Sequence, residues 1–374
     1  MRIVLTAIAL SAMSVGLAPS APVAAAPAPW WTQRYGSDLQ VNGHWEPVVG
    51  NFAGDANDDI IWYAPGPTPE QLWTSDGDGT FTKSTLPRGV TSYYGALVGN
   101  FGGDQRDDIF WYGDFSHESV LWITDDSADG VQRVRFHISG RYWPTVVTNT
   151  AGRDSIVWQI LQTGFRDPVW TFTGSDGAVA TTHIPDPAFD GNYVAGDFNG
   201  DGWGDVFQYR VGNRPDQVSF GQADHQFSTT VEHVNGIYEP VVADVDAGGD
   251  GRDDIVWYHV YPGEDGHAAD PIWHGTADGD FTTSFSDLPD SNEEESGVPP
   301  IASTPEHFVE IADFFGSDHV WYVDGTGEHS RATGNSAVYK ANSDAIAIVG
   351  SFTNETPDIY RYVPGTGRDI LYYR

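Results

Sequence analysis

Four oxygen-bearing side chains are spaced along the glycine-rich stretch GDFNGDGWGDVFQY, residues 196–209. They occupy the first, third, fifth and ninth positions of a loop, and the seventh position offers a backbone carbonyl; the five residues are Asp197, Asn199, Asp201, Trp203 and Asp205. Calcium takes about six to eight oxygens, and a short loop can supply them from alternate side chains where glycines permit sharp turns. The loop therefore predicts a calcium site. The alternative is an Asp/Gly turn held by side-chain to backbone hydrogen bonds.

The stretch recurs along the chain, and this recurrence organises the whole sequence. The copies read EPVVGNFAGDANDDIIWY, GALVGNFGGDQRDDIFWY, PTVVTNTAGRDSIVWQ, NYVAGDFNGDGWGDVFQY and EPVVADVDAGGDGRDDIVWY, followed by the weaker FVEIADFFGSDHVWY and AIVGSFTNETPDIYRY. Their first loop positions fall at residues 51, 100, 149, 197, 244, 313 and 351. Seven units, numbered one to seven below, therefore fill most of the chain.

Each unit has the pattern of four short strands. Runs rich in Val, Ile, Thr, Trp and Tyr lie between Gly, Pro and Asp, which is typical of strands. Radial repetition of four-stranded units predicts a β-propeller. The stretch GSDLQVNGHWEP near the start resembles the end of a unit, and GRDILYYR at the end resembles a third strand. We therefore expect an all-β fold, a seven-bladed β-propeller of four-stranded antiparallel blades, with one blade closed by strands from both ends of the chain.

The loop and following strand in DFNGDGWGDVFQY and DVDAGGDGRDDIVWY resemble FG-GAP (VCBS-type) repeats. Such repeats form the calcium-loop blades of integrin α-subunit propellers and of many exported bacterial propellers. The resemblance covers nearly all of residues 27–374. It implies a propeller with structural calcium as cofactor, but it implies no single activity, because these blades occur in adhesion proteins, lectins and polysaccharide lyases.

The other loops match the ligand pattern to different degrees. Unit five has a full set with two extra residues near 247–249, whereas units one and two have Asn at the first position and lack the third ligand. The predicted ligands are Asp244, Asp246, Asp250, the carbonyl of Arg252 and Asp254 in unit five, and, as weaker sites, Asn51, Asp55 and Asp59 in unit one and Asn100, Asp104 and Asp108 in unit two. The shorter loops of units three, six and seven are predicted to be metal-free turns. Loss of some copies is tolerable when the cation only fixes a turn.

The aromatic residues divide into two groups. Those that recur in the second and third strands are predicted to form the core between blades; they are Trp62, Trp111, Trp158, Trp257 and Trp321, and Trp73, Trp122, Trp170 and Trp273. Those outside these registers are candidates for ligand contact; they are Trp30, Trp31, Tyr93, Tyr94, Trp143 and Trp203.

The N-terminal residues and the net charge restrict the expected location and partners of the protein. Residues 1–26 combine Arg2, an apolar run and Ala-x-Ala spacing, which predicts a signal peptide and a secreted protein comprising residues 27–374. There is no cysteine, and the formal net charge is -35. Nucleic acid and anionic membrane surfaces are excluded as partners, because both are bound through excess Lys and Arg. An acidic, Pro-rich insertion at about residues 286–307 is predicted to be a surface loop or a binding lid.

No local motif indicates catalysis. The 12 histidines do not cluster, and no zinc-protease, serine-hydrolase or phosphate-loop pattern is present, so we name no catalytic residue. We expect a secreted calcium-binding propeller that acts as a binding module for extracellular glycan or protein. The alternatives are a polysaccharide-degrading enzyme, lyase or glycosidase, with a site in the axial funnel, and a structural or adhesion protein. The sequence leaves the ligand and the oligomeric state open.

Overall fold

A computed structural model describes most of the chain after residue 31. The described residues are 32–86, 90–113, 118–125, 130–160, 166–185, 191–246, 250–259, 270–286, 305–311, 319–324, 329–331, 346–354 and 358–373. The predicted signal peptide, Trp30, Trp31 and most of the predicted insertion lie outside them. Within these ranges, no helix has the length and apolar character needed to cross a membrane.

The described chain begins with the short strand β1 (Thr32–Arg34). Five four-stranded antiparallel sheets follow in chain order, and within each sheet consecutive strands pair with one another. We call them blades one to five. Their strands are β2 (Glu46–Gly50), β3 (Asp59–Tyr63), β4 (Gln71–Ser75) and β5 (Phe81–Thr85); β6 (Gly95–Gly99), β7 (Asp108–Tyr112), β8 (Ser119–Thr124) and β9 (Val131–Phe136); β10 (Tyr142–Val147), β11 (Ser155–Ile160), β12 (Pro168–Phe172) and β13 (Val179–His183); β14 (Asn192–Gly196), β15 (Asp205–Tyr209), β16 (Asp216–Gly221) and β17 (Phe227–Glu232); and β18 (Tyr238–Ala243), β19 (Asp254–His259), β20 (Asp270–Gly275) and β21 (Phe281–Ser286).

Both ends of the described chain meet in a sixth four-stranded sheet, which we call the closing blade. Strands β25 (Ile346–Gly350), β26 (Asp358–Tyr362) and β27 (Ile370–Tyr373) pair in order, and β1 completes the sheet by pairing with β27, so that Gln33 lies opposite Tyr372. Closure by both ends is therefore confirmed. The N-terminal strand lies just before the stretch from which closure was predicted.

The predicted count of seven four-stranded blades is wrong, because the described residues form six. Between blade five and the closing blade, β22 (Pro305–Ile311), β23 (His319–Asp324) and β24 (His329–Arg331) form a sheet of three strands. The reason lies in the spacing. The loop positions at 313 and 351 are separated by 38 residues, whereas the first four intervals are 47 to 49. The missing length is about that of one strand with its turn.

The second strand of each blade is buried on both faces, and it carries the tryptophans predicted for the core. Trp62, Trp111, Trp158 and Trp257 are at most 1% exposed, which confirms that prediction for them. Among the third-strand tryptophans, Trp73 and Trp122 are buried, and Trp170 and Trp273 are partly buried against the same clusters. The Trp321 side chain lies outside the described part.

A tyrosine at the end of the second strand joins each of several blades to the next; we call this contact the Tyr bridge. Its ring packs on the tryptophan of the following blade, and its hydroxyl accepts a backbone N–H at the start of that blade's first strand. The ring pairs, with centroid distances, are Tyr63–Trp111 (4.8 Å), Tyr112–Trp158 (5.3 Å), Tyr209–Trp257 (5.0 Å) and Tyr362–Trp62 (4.9 Å). The N–H donors are those of Tyr94, Tyr142, Tyr238 and Trp45.

A second contact, the Asp clamp, joins the same blades at the end where the Asp/Gly loops lie. The first residue of a loop donates its N–H to an Asp carboxylate of the next blade and accepts that Asp's N–H at its own carbonyl. The pairs are Asn51–Asp107, Asn100–Asp154, Asp197–Asp253 and Ser351–Asp58. The Tyr bridge and the Asp clamp therefore occur together at four interfaces between neighbouring blades, including the one that joins the closing blade to blade one.

Candidate functional site

The interface between blades three and four lacks both the Tyr bridge and the Asp clamp. Gln159 stands where the bridging tyrosine would be, and Gln208 stands where the partner tryptophan would be; both are only 2% exposed. Gly204 replaces the clamping aspartate, and its N–H donates instead to Asn149 Oδ1 at 2.9 Å. Because all of these repeated positions depart at one interface, we treat it as a candidate functional site.

Polar contacts replace the aromatic ones at the core of this interface. Gln159 donates its side-chain amide to the carbonyl of Gly191, and Gln208 donates to the Tyr193 hydroxyl at 3.2 Å. That hydroxyl donates to the buried carboxylate of Asp167. Burial raises the pKa of Asp167, and burial next to Asp167 raises the pKa of Tyr193.

A cleft opens to solvent at the loop end of the same interface. It is lined from blade three by Val147, Asn149, Ser155, Val169 and Thr171, and from blade four by Trp203, Gly204, Gly221, Gln222, His225, Gln226 and Phe227. Two sequence changes make room for it. Ser155 stands where most blades have a buried aspartate, and the unit-three loop is two residues shorter than its neighbours.

Trp203 and His225 form one wall of the cleft. Their rings meet edge to face with centroids 5.5 Å apart, and His225 has the left-handed backbone conformation, φ 60°, that few residues other than Gly adopt. The indole also lies against Gly152 in the shortened loop of blade three, where a Cβ would come within 3.2 Å of the ring.

The cleft offers hydrogen bonds without charge. The described residues that line it supply amide, hydroxyl and imidazole groups, and none is Asp, Glu, Lys or Arg. This is unusual on a chain with 53 acidic residues. Buried hydroxyls at the base are already paired, with Ser155 Oγ and Thr171 Oγ1 2.8 Å apart. The cleft therefore places uncharged hydrogen-bonding side chains beside an aromatic ring.

Trp203 occupies a position that has arginine in three other loops. A Cβ added at Gly54, Gly103 or Gly200 would meet the side chain of the residue at this position in the next blade; those residues are Arg106, Arg153 and Arg252. In unit four the position holds an indole instead. The residue at this position thus contacts the preceding loop in each case, and in unit four it also lines the cleft.

The predicted calcium loop of unit four gathers part of its donor set. Asp197 Oδ1 and Asn199 Oδ1 both accept the N–H of Asp201, at 3.1 and 2.9 Å, and Asp201 Oδ1 accepts the N–H of Trp203 at 2.8 Å. Asp197 Oδ1 and Asn199 Oδ1 therefore lie close together at the loop. Asp197 Oδ1 also accepts the N–H of Gly200 at 2.8 Å, so both of its lone pairs are used. The oxygen ligands are of the type that a hard cation such as calcium takes.

Asp205, the last predicted ligand, is placed differently. It is fully buried, its Oδ1 accepts the N–H of Gly221, and its Oδ2 accepts the N–H of Phe198, both at 2.9 Å. Its pKa is raised to about 8, mainly by burial and in smaller part by the charges of Asp197 and Asp201, while the two hydrogen bonds oppose the shift. The residue ties the loop to the third strand, and a cation beside it would offset the cost of its charge.

The corresponding acids of units one and two have the same structural role. Asp59 joins Ala53 to Ser75, and Asp108 joins Gly102 to Thr124, in each case through two backbone N–H groups. Burial raises the pKa of Asp59 to about 6 and that of Asp108 to about 7.

The amides at the start of these two loops close the turn. Asn51 Oδ1 accepts the N–H of Gly54 while its amide nitrogen donates to the carbonyl of Asp55, and Asn100 Oδ1 accepts the N–H groups of Gly103 and Asp104. The ligand set of unit one is poorer for a cation than that of unit four, because Ala53 supplies no side-chain oxygen at the third position.

In unit five, a histidine from a neighbouring strand contacts the acids of the loop. Asp246 Oδ1 lies 2.8 Å from Nδ1 of His274, and Asp254 Oδ2 lies 3.3 Å from the same nitrogen. The hydrogen bond with Asp254 is the main cause of a raised pKa at His274. The other predicted ligands lie nearby in the chain: Asp244 Oδ2 accepts the N–H of Gly251, and Arg252 pairs with Asp250.

Comparison with known proteins supports the architecture. No known protein family model and no curated protein sequence matches this chain. A solved structure of an Agrocybe aegerita lectin, described for its specific recognition of non-reducing terminal N-acetylglucosamine, superposes with a TM-score of 0.56 at 13% identity. The match covers 78% of this chain and 81% of the lectin. The chain is a β-propeller.

The aromatic candidates take three different places in the propeller. Tyr93 is 78% exposed just before β6, and Trp143 is 53% exposed in β10, whereas Tyr94 is partly buried. Trp203 lies in the cleft. The turn residues Gln222, His225 and Gln226 were missed by sequence reasoning. The signal that could have located them is the set of departures from the repeat, because these departures fall on two neighbouring units.

Proposed function

We propose that this protein is a secreted, calcium-binding propeller of the FG-GAP type whose blade three–four cleft binds a neutral extracellular glycan. The observation that carries the proposal is the composition of the cleft: an indole wall beside uncharged hydrogen-bonding groups. A pyranose has an apolar face that packs on an aromatic ring and hydroxyls that need partners fixed in direction, and pockets of this kind combine aromatic surface with a few placed polar groups.

The lack of charge narrows the ligand class. An acidic polysaccharide would be repelled by a propeller with net charge -35, and a cationic ligand would find no carboxylate among the described residues that line the cleft. A neutral sugar avoids both difficulties. The lectin with a similar fold was described for recognition of N-acetylglucosamine, a neutral sugar, so sugars bearing an N-acetyl group belong in the first set of ligands to be tested.

Calcium in the unit-four loop would support the cleft directly. Asp201 Oδ1 holds the N–H of Trp203, and Asp197 Oδ2 holds the N–H of Gly202 at 2.8 Å, so the loop that gathers the oxygens also orients the indole. Secretion is supported by the pattern of residues 1–26. An extracellular location supplies the millimolar calcium that weak loops of this kind require.

A glycan array followed by calorimetry on the best ligand tests the proposal. Trp203→Arg is the informative variant, because Arg occupies this position in three other loops and should preserve the contact with the preceding blade. We expect the variant to fold and to bind at least about tenfold more weakly, equivalent to about 1.4 kcal/mol. Trp143→Ala, which removes an exposed indole elsewhere, should leave affinity unchanged.

Three outcomes would contradict the proposal. They are binding that survives Trp203→Arg and is lost in Trp143→Ala, a protein partner with no glycan bound, and release of products from neutral polysaccharides. The first would move the site to the surface around Trp143, the second would favour an adhesion role, and the third would favour an enzyme.

A further inference from the structure

The fifth blade combines its Asp/Gly loop with a histidine from the neighbouring strand. Strands β19 and β20 pair Ile255 with Trp273, and this register brings His274 next to Asp254. The same third-strand position holds Thr74, Ile123, Thr171 and Phe220 in blades one to four. Only here, within blades one to five, does an imidazole face the loop acids.

We propose that Asp246, Asp254 and His274 bind a first-row divalent transition metal, with zinc as the best match, in place of the calcium expected in this loop. Their ligand atoms lie within 4.8 Å of one another, and among the described residues no other group of three acidic or histidine side chains comes this close. Two carboxylates and a neutral imidazole carry two negative charges, which matches a divalent ion.

The distances suit a small tetrahedral ion. With metal–ligand bonds of about 2.0 to 2.1 Å, ligand atoms of a tetrahedral zinc site lie about 3.3 Å apart. His274 Nδ1 is 3.3 Å from Asp254 Oδ2 and 2.8 Å from Asp246 Oδ1. To match this spacing, the contact between His274 and Asp246 must lengthen by about half an ångström. Calcium, by contrast, prefers a larger shell made of oxygens, and an imidazole nitrogen is a ligand of zinc, copper, iron and nickel.

The groups behind the ligands are arranged as in metal sites. His274 Nε2 lies 2.7 Å from Ser284 Oγ, so the ring is held with Nδ1 toward the two acids. Asp254 Oδ2 accepts the N–H of Val245 at 3.0 Å, which leaves it a second lone pair. Such outer contacts fix the orientation of ligating side chains. In the same loop, Asp244 Oδ1 is buried and has no hydrogen-bond partner among the described residues, which indicates an unused oxygen ligand in this loop.

Cobalt is the direct probe, because Co²⁺ replaces zinc at such sites and gives visible absorption bands that report nitrogen and oxygen coordination. The full chain is stripped of metal, supplied with excess Ca²⁺ to fill oxygen-only sites, and titrated with Co²⁺. We expect one equivalent to give a band that Zn²⁺ abolishes and added Ca²⁺ does not. His274→Thr, which installs the residue of blades one and three, should fold and lose the band.

Two further variants separate the site from its surroundings. His183→Thr removes an exposed histidine in another blade and should keep the band. Ser284→Ala releases the imidazole from its outer contact, and we expect about tenfold weaker Zn²⁺ binding with the band still present. Absence of a saturable band, a band that persists in His274→Thr, or displacement of Co²⁺ by Ca²⁺ would each overturn the proposal. Glycan binding, measured separately, should be the same in His274→Thr as in the wild type.

Discussion

The carboxylate of Asp107 in blade two accepts the backbone N–H of Asn51 in blade one at 2.8 Å, while the carbonyl of Asn51 accepts the N–H of Asp107 at 2.9 Å. This reciprocal pair joins two different blades, so a variant that removes it tests how much the contact between neighbouring blades contributes to stability. Asp107→Ala should lower the free energy of unfolding by about 1–3 kcal/mol, since the Asn51 N–H loses its acceptor.

Chemical denaturation of Asp107→Ala beside Glu118→Ala checks this expectation. Glu118 forms an exposed pair with Arg135, so its removal should change stability by less than about 1 kcal/mol. Equal losses in the two variants would show that the Asp clamp contributes nothing beyond removal of a surface carboxylate.

The Tyr bridge also joins blades one and two, and removing its hydrogen bonds tests its contribution to stability. The Tyr63 hydroxyl donates to the carbonyl of Ser92 and accepts the N–H of Tyr94. Tyr63→Phe keeps the ring on Trp111 but removes both hydrogen bonds, and we expect a loss of about 1–3 kcal/mol. Tyr93→Phe is the control, because Tyr93 is highly exposed; its melting temperature should match that of the wild type. A Tyr63→Phe variant as stable as this control would contradict the assigned role.

Sequence reasoning predicted the blades where the repeat is regular. Strand, loop and strand recur with a nearly constant interval in the first five units, and the second-strand tryptophans mark the buried register, so blades one to five and the core could be read directly. The count was wrong because one shortened interval, between positions 313 and 351, changed the number of strands. A repeat anchor locates a unit, but it does not show that the unit has room for all its strands.

The cleft and the Asp246, Asp254 and His274 cluster depend on contacts between residues that are distant in the sequence, so local motifs did not predict them. Ser155 and Trp203 are far apart in the chain and line the same cleft because blades three and four are neighbours. His274 reaches Asp254 only through the pairing of β19 with β20. Conversely, Asp205 reads as a metal ligand by spacing, yet its carboxylate holds two backbone N–H groups. Spacing along one loop is a local property, whereas both candidate sites draw residues from separate strands or blades.

Buried aspartates should make the metal-free protein less stable as pH rises. Burial raises the pKa of Asp154 to about 6 and that of Asp358 to about 7, above the value of about 3.9 typical of an unfolded chain. The stabilisation is complete below the unfolded pKa and is lost as pH rises through the folded values. We expect unfolding in the presence of a chelator to require less denaturant at pH 8 than at pH 5, by on the order of 2 kcal/mol per group.

Asp154→Asn tests the origin of this pH dependence. The amide keeps one acceptor for the neighbouring N–H groups but cannot ionise, so the difference in stability between pH 5 and pH 8 should shrink. An unchanged difference in this variant, or a wild-type protein that becomes more stable between pH 5 and pH 8, would show that the buried carboxylates are not responsible.

Calcium should raise the melting temperature and a chelator should lower it, because an ion bound only by the folded loop stabilises the fold. At a free concentration about 100 times the dissociation constant, one site contributes about 2.7 kcal/mol. Asp201→Asn should reduce the calcium-dependent shift in differential scanning calorimetry. The matched control is Asp176→Asn: each Asp is exposed and accepts the N–H two residues later, Trp203 for Asp201 and Ala178 for Asp176, but Asp176 lies in a turn outside the loops. If both variants respond to calcium as the wild type does, the unit-four loop is a hydrogen-bonded turn, and the indole of Trp203 is held by those bonds alone.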